Sequence, residues 1–377
     1  MADLPETVLQ FGAGNFLRAF TDAFVHESNQ RGDAFGRVVV VQSTESNRAE
    51  LLNAQHCRYH VAVRGIENGA PVDRIQAVTS VSRALVARHE WGRVLEVAES
   101  PNLRWIVSNT TEAGYDLDDR DALSGDAPES FPAKLLCLLH HRYRNSLSAL
   151  TILPCELFER NADRLSRIVV DLALRWGLED DFRSWLTEEC LWLNNLVDRI
   201  VTGKPKEHPL LAEDPLLTVA EPFALWVVEQ QTDADHPKPM EFLRNDAIVR
   251  TDDVDSYYLR KVRILNGVHS ALVMKAMPLG FKTVREVIAD AKLGEWVREL
   301  LYDEIVPTLD GRVDGAQQFA DQTIERFLNP FIDHDLEKIA LHHEAKVKVR
   351  LVPTREEFVE RFGRRPRLLD EVLAETH

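Results

Sequence analysis

The sequence predicts an α/β chain in two parts, a parallel-sheet domain over residues 1–204 and a mostly α-helical domain over residues 205–377, on three observations. First, the short apolar run Thr7-Val-Leu-Gln-Phe11 ends in Gly12-Ala-Gly14, and a helical pattern of Phe16, Phe20 and Phe24 follows. Second, Arg37-Val-Val-Val-Val-Gln42 is a β run without a polar face, placed where the second parallel strand of a β-α-β unit belongs. Third, alternating strand and helix patterns give way near residue 204 to almost continuous helix.

The glycine turn comes first in the chain. Two glycines allow a tight turn and a close backbone approach to a pyrophosphate, and the helix start beyond them offers free N–H groups. That arrangement is Rossmann-like, and it makes Gly12, Gly14, Asn15 and Phe16 candidate dinucleotide contacts. Leu17 stands where the usual fingerprint has its third glycine, and an ordinary β-α-β unit that binds nothing shares the pattern this far. At the tip of the second strand, Gln42-Ser-Thr-Glu45 holds no aspartate. Glu45 is the acid in reach of an adenosine ribose, which leaves the choice between NAD and NADP open.

Two alternating runs, His60–Arg64 and Val72–Val78, flank Glu67-Asn-Gly69 and predict a hairpin that interrupts the parallel sheet. Trp105-Ile-Val-Ser-Asn109 resumes it and runs into Thr110-Thr-Glu112-Ala-Gly114, a polar turn at a strand's carboxyl end, where open α/β sheets bind ligands. Asn109, Thr110 and Glu112 are therefore further cofactor candidates. A helix over 131–145 and a strand from Leu147 to Pro154 lead to Cys155-Glu156. Glu112 and Glu156 also read as plain turn or cap residues.

Beyond Leu157 the pattern is mostly helical, with a strand or two expected near 217–250. Adjacent Asn194 and Asn195 interrupt an apolar run and must be hydrogen-bonded or exposed, because an unpaired buried amide costs about 1–3 kcal/mol. The helix around Tyr258–Val273 carries Lys261, Asn266 and His269. At ideal spacing these fall at roughly 0°, 140° and 80° on one arc, with the apolar stripe centred on the lysine. Desolvation of such a lysine lowers its pKa toward that of a general base, while an amide and an imidazole beside it suit a reacting oxygen. A lysine whose stem snorkels to water has the same spacing.

A formal charge of −16 argues against non-specific binding to nucleic acid or anionic membranes. The N-terminus lacks a basic and an apolar region of the signal-peptide kind, and no apolar run approaches the roughly 18 residues of a membrane span. Four scattered cysteines without zinc-type spacing suggest a reduced, cytoplasmic protein with no structural metal.

Taken together, Gly12-Ala-Gly-Asn-Phe-Leu-Arg18, Asn194-x-x-x-Asp198-Arg199-Ile, Glu221-Pro-Phe-x-x-Trp226 and Lys261-x-x-x-x-Asn266-x-x-His269 resemble the mannitol dehydrogenase family, in its order and over most of the chain. Val39–Gln42, Arg64–Gly69, Ser108–Gly114, Pro154–Leu157 and Val197–Gly203 are similar to its hexuronate-reducing branch. The resemblance implies a metal-independent, NAD-linked alcohol/ketone interconversion on a small sugar acid. Lys261 would be its acid/base, Asn194 and Asn266 its oxyanion amides, and His269 its orienting histidine. Lys346 and Arg350, in the basic-apolar alternation Lys346-Val-Lys-Val-Arg350, would hold the substrate carboxylate; an exposed amphipathic strand has the same alternation. Tyr258 replaces the glutamate that mannitol dehydrogenases carry three residues before the lysine, which points away from uncharged polyols. Members of the branch run about a hundred residues further. A shortened homologue that binds nucleotide without turnover, and the same chemistry on fructuronate or another polyol, are the competing expectations.

Overall fold

The computed structural model describes residues 4–33, 35–67, 69–110, 112–230 and 243–374, with residues 112 and 113 described by backbone alone. Backbone packing divides the chain into two units. The first comprises Met1–Val63, Arg74–Ala220 and Ala224–Val254, and the second Arg64–Asp73, Glu221–Phe223 and Asp255–His377.

In chain order the first unit opens β1 (Glu6–Phe11), α1 (Asn15–Arg18), α2 (Thr21–Gln30), β2 (Arg37–Gln42) and α3 (Arg48–Ala54). The neighbouring strands β3 (Tyr59–Glu67) and β4 (Ala70–Val78) are the expected hairpin pair, with their Arg64–Asp73 end in the second unit and Asn68 between them outside the described residues. There follow β5 (Val81–Val86), α4 (Ala87–Ala98), β6 (Trp105–Ser108), α5 (Phe131–Arg144), β7 (Thr151–Pro154), α6 (Asn161–Arg175), α7 (Asp180–Ser184) and β8 (Leu191–Trp192). The strands β9 (Asn195–Asp198), β10 (Val201–Gly203), β11 (Thr218–Ala220), β12 (Leu225–Glu229) and β13 (Ile248–Thr251) close the unit.

The main sheet runs β5-β2-β1-β6-β7-β8 and every pairing in it is parallel. Order reverses between β1 and β6, and the carboxyl ends of those strands define the ligand crevice of such sheets. The valine run of β2 shows why this sheet forms. Val39 and Val41 join one apolar core with Leu9, Phe11 and Ile106, while Val38 and Val40 join the core on the opposite face with Val8 and Val107. Alternate residues of a strand point to opposite faces, so a strand covered on both sides must be apolar throughout.

By backbone packing the sheet-bearing unit runs on past residue 204 as far as Val254, interrupted at Glu221–Phe223. The reason is strand pairing: β11 lies parallel to β3 and antiparallel to β10, and β12 pairs with both β9 and β13. Thr218–Ala220, Leu225–Glu229 and Ile248–Thr251 are thereby tied to the sheet-bearing unit, while Glu221–Phe223 belongs to the second.

The second unit is helical. A continuous rod begins as α8 (Val254–Lys261), passes through an i→i+5 turn over Val262–Asn266, and continues as α9 (Gly267–Ala276). Around it stand α10 (Val284–Ala289), α11 (Ala291–Glu299), α12 (Val306–Leu309), α13 (Ala316–Phe327), α14 (Leu336–Ile339), α15 (His343–Arg350), α16 (Val352–Phe362) and α17 (Arg367–Ala374). Ile264, Leu265, Val268, Leu272 and Val273 place the rod in the middle of this unit's core. From Val262 to Met274 every residue is buried, so the rod has no solvent-facing stripe over that length. The basic-apolar alternation at 346–350 lies in α15; a helix, not a strand, puts Lys346 and Arg350 one turn apart on the same face.

Candidate active site

The glycine turn forms as its sequence requires. Gly12 has φ +130° and its N–H donates to the Val41 carbonyl at 2.9 Å. A Cβ there would come within 3.1 Å of Leu17 Cδ1 and 3.3 Å of the Asn109 carbonyl oxygen, whereas a Cβ on Gly14 would meet nothing within 4 Å. Gly12 thus serves the turn and Gly14 leaves room for a ligand. Gly12→Ala should lower thermal stability by about 1–3 kcal/mol through its left-handed φ and weaken dinucleotide binding. Gly14→Ala should weaken binding alone, as thermal melts and titration of the same two proteins will show.

A cavity of about 580 Å³ opens beside this turn, lined by Gly12, Gly14, Gln42, Asn109 and Thr110 among others. Asn109 and Thr110 are held there from below. Asn109 Nδ2 donates to the Cys155 carbonyl at 2.6 Å, and the Thr110 N–H and hydroxyl donate to Glu156 Oε1 at 2.8 and 3.1 Å. Glu156 also accepts from Ser108 and Tyr115, at 3.1 and 3.0 Å. Burial raises its pKa and these hydrogen bonds oppose the rise. Glu156 is therefore a buried brace for the loop. The Glu112 side chain lies outside the described residues; its backbone opens a short 3₁₀ turn, Glu112–Tyr115.

Three of the expected cofactor contacts stand elsewhere. Asn15 Oδ1 accepts from Arg18 Nη2 at 2.6 Å, and the Phe16 ring stacks on Phe20 at 4.9 Å. Glu45 is not in the cavity lining either: its carboxylate is 90% exposed and pairs with Arg88 at 3.1 Å. The loop is turned by Gln42, whose Nε2 donates to the carbonyls of Thr44 and Ser46 at 3.0 and 2.6 Å and whose Oε1 accepts from the Ala49 N–H at 2.8 Å.

Asn194 and Asn195 are satisfied, as buried amides must be. Asn195 Nδ2 donates to the Pro154 and Leu193 carbonyls at 2.9 and 3.1 Å, and its Oδ1 accepts from Trp226 Nε1 at 3.0 Å. Asn194 Oδ1 accepts from the Ala162 and Asp163 N–H groups at the start of α6, at 3.1 and 3.2 Å. Both its amide hydrogens are committed at 3.0 Å, to Asp163 Oδ1 and to Glu229 Oε2. In this state Asn194 caps a helix.

In the helical unit, Lys261, Asn266 and His269 are all less than a tenth exposed. Ideal α-helical spacing puts Asn266 far around from the lysine. The i→i+5 turn between them advances fewer degrees per residue and swings Asn266 and His269 back toward the lysine's face. Asn266 Nδ2 and His269 Nε2 are buried without a hydrogen-bond partner. Such orphaned groups are costly, and a ligand oxygen would satisfy them. The His269 ring lies 4.6 Å from both Phe327 and His334. Its pKa is pushed well below the usual value, first by burial and then by His334, Arg350, Arg326 and Lys261, so the imidazole is neutral at physiological pH.

Sequence reasoning missed the groups around it. His334 is held near a pKa of about 4 by burial and by Arg326. His343, at the start of α15, has both ring nitrogens buried and unpartnered, with its pKa lowered by burial, Lys346 and Arg350. Arg350 Nη1 donates to Ser270 Oγ at 3.3 Å, which anchors α15 beside His269, and Lys346 Nζ donates to the Ile339 carbonyl at 3.0 Å. Arg326 had a legible signal, since it falls on the buried face of α13 with Phe319, Thr323 and Phe327. Among the described residues no group of three or more His, Cys, Asp or Glu could hold a metal ion, and no helix is long and apolar enough to cross a membrane.

Sheet order, glycine turn and helical second unit define a two-domain oxidoreductase acting on CH–OH groups. Family models agree: the mannitol dehydrogenase Rossmann domain matches residues 6–240 and the mannitol dehydrogenase C-terminal domain residues 253–375. The chain belongs to the mannitol dehydrogenase family. The altronate oxidoreductase of Bacillus subtilis (strain 168) is 37% identical over 375 residues, covering 97% of this chain and 78% of that protein. Its counterpart in Halalkalibacterium halodurans is 38% identical over 379 residues, covering 98% and 74%. Among solved structures, the Pseudomonas fluorescens mannitol 2-dehydrogenase ternary complex with NAD and D-mannitol superposes with a TM-score of 0.83 at 22% identity, over 99% of this chain and 79% of that one. A D-sorbitol dehydrogenase in substrate-free form gives 0.82 at 23%, over 100% and 80%. At those identities the structural likeness speaks for the fold. The cavity at the glycine turn fits an NAD-type nucleotide, since a Cβ on Gly14 would meet no protein atom within 4 Å.

Proposed function

We propose that this chain interconverts a keto-hexuronate and its alcohol, tagaturonate and altronate, with NAD(H) as the dinucleotide and Lys261 as the general acid/base. One observation carries the reading: the orphaned Asn266 amide and His269 imidazole share a face with Lys261, and Arg350, Arg326 and Lys261 are among the charges that act on His269. When bound, the reduced nicotinamide supplies hydride to the keto carbon. Lys261, as an ammonium, gives a proton to the oxygen that gains charge, and in the reverse direction the amine takes it back. Asn266 Nδ2 donates to that oxygen as its charge develops. Neutral His269 presents Nε2 to a neighbouring substrate hydroxyl or to the same oxygen, and adds no second positive charge. Asn194, the other amide assigned, takes part by exchanging one of its two carboxylate acceptors for the oxygen. Arg350 and Lys346 face a sugar carboxylate, for which a guanidinium offers paired donors.

The test mixes purified protein and NADH with tagaturonate, fructuronate and an uncharged ketose, following loss of nicotinamide absorbance. Turnover is expected with tagaturonate above fructuronate, and little with the ketose. NADH binding without turnover on either keto acid would sink the proposal in favour of a nucleotide-binding homologue. Arg350→Met should raise KM for the keto acid by about 10- to 100-fold, the worth of a charge-assisted hydrogen bond, and leave the ketose rate unchanged. An equal loss on both substrates would remove Arg350 from carboxylate recognition.

A further inference from the structure

The face of α15 that carries Lys346 and Arg350 holds a third polar side chain. Resting on the sugar-acid reading above, we propose that His343 is a further substrate ligand, an imidazole that donates a ring N–H to the carboxylate beside Lys346 and Arg350. Selection of the acid then rests on three side chains of one helix. His343, Lys346, Val347 and Arg350 follow the i, i+3, i+4, i+7 spacing of a single helix face. Val347 sits in the core of the unit, and the residues on the other side, Glu344, Ala345, Lys348 and Val349, are exposed. The inward face is registered against the rod at its far end, where Arg350 Nη1 donates to Ser270 Oγ at 3.3 Å, one residue from His269. The helix rises about 10 Å from His343 to Arg350, a span that the long lysine and arginine side chains close around one six-carbon acid.

Two observations single this ring out. Both its nitrogens are shut off from solvent and meet no hydrogen-bond partner among the described residues. An imidazole carries one N–H donor and one acceptor when uncharged, and leaving both unmet in the interior is costly where a phenyl ring of similar size would not be. An anionic oxygen answers the donor. The second observation is the company the ring keeps. The charges that act on it are Lys346 and Arg350, both cationic, and together with burial they lower its pKa, so it is uncharged at physiological pH. A third cation on this face would add repulsion whenever the ligand is absent. An uncharged donor adds a hydrogen bond to the bound carboxylate without that cost, and a hydrogen bond to a charged acceptor is the strong kind.

The test compares the parent with His343→Phe, which keeps the ring and removes both nitrogens, on tagaturonate and on its methyl ester at saturating NADH, the ester being read as substrate or as inhibitor. His343→Phe should raise KM for the acid by about tenfold or more, the worth of a hydrogen bond to a charged group, and leave kcat within about twofold. For the ester the change should stay below about threefold, since its acceptor carries no charge. His343→Gln returns an amide donor and should recover part of the loss. The thermal melt of His343→Phe should lie at or above that of the parent, because a ring with unmet polar atoms gives way to one that needs no partner. A ring that only supports the fold predicts the reverse, a lower melt with KM unchanged. Should the phenyl variant fail to fold, His343→Ala is read in the same way. An unchanged KM for the acid in the folded variant, or equal losses on acid and ester, would overturn the assignment and leave the dehydrogenase reading standing. No turnover of any keto acid by the parent would overturn the two together.

Discussion

Lys261→Ala should lower kcat with tagaturonate by about a thousandfold, within the range that a positioned acid/base contributes, while dinucleotide affinity stays at the parent value. The argument is one of proton supply. A keto group accepts hydride readily only if its oxygen is protonated or held as the charge arrives, and Lys261 is the lysine on the face with the two orphaned groups. Asn266 and His269 can stabilise that oxygen but cannot deliver a proton to it, because an amide does not ionise and the imidazole is held neutral. Some rate should therefore persist in the variant through charge stabilisation alone, and a small primary amine added to solution should restore part of the rest. Lys261→Arg separates the two roles. It keeps a positive charge but holds its proton across the accessible pH range. If Lys261 acts only as a fixed cation, the arginine variant works; if it transfers a proton, that variant is as slow as the alanine one. Full activity in Lys261→Ala would remove the assignment.

Much of this site was legible before any coordinates, and the reasons are local. A valine run without a polar face has no stable place except the middle of a covered sheet, so β2 followed from composition. The glycine turn followed because a φ of +130° at Gly12 suits no other residue. The β5 strand, Val81-Ser-Arg-Ala-Leu-Val86, was missed because its polar residues serve the sheet edge: Ser82 donates to the Val38 carbonyl and Arg83 grips Glu6 through two bonds. The two-residue β8 has no pattern to read. The i→i+5 turn was invisible for a different reason. Its residues, Val262-Arg-Ile-Leu-Asn266, are ordinary helix formers, and the wider turn falls where the rod is wholly buried. Spacing arithmetic thus put Lys261, Asn266 and His269 on one arc but gave Asn266 an angle that the i→i+5 turn changes. Pairs far apart in sequence were beyond reach in principle, and Glu221 with Arg326 is the clearest of them.

That pair sets the largest stability effect expected in the helical unit. Arg326 Nε donates to both Glu221 oxygens at 3.2 and 3.0 Å, its Nη2 donates to Oε1 at 2.7 Å, and both side chains are at most 6% exposed. The Phe223 ring lies 4.1 Å from the guanidinium carbon and covers its face. Glu221→Gln keeps the shape and strands a buried cation, which costs about 3–5 kcal/mol. Arg326→Met should cost a similar amount, since it strands the carboxylate instead. The double variant Glu221→Gln, Arg326→Met should lose clearly less than the sum of the two, because no uncompensated charge remains. Urea unfolding of the three proteins, followed by a probe in the helical unit, decides this; strict additivity would show that the pair is not coupled. The chemistry should respond differently from the fold. Arg326 is one of the charges that keep His269 deprotonated, so removing Glu221 strengthens that influence on a ring that is already neutral. Assayed well below its melting temperature, Glu221→Gln should therefore retain a kcat within a few fold of the parent, in contrast to the near silence of Lys261→Ala. A collapse of kcat in a folded Glu221→Gln protein would instead place the carboxylate itself in the reaction.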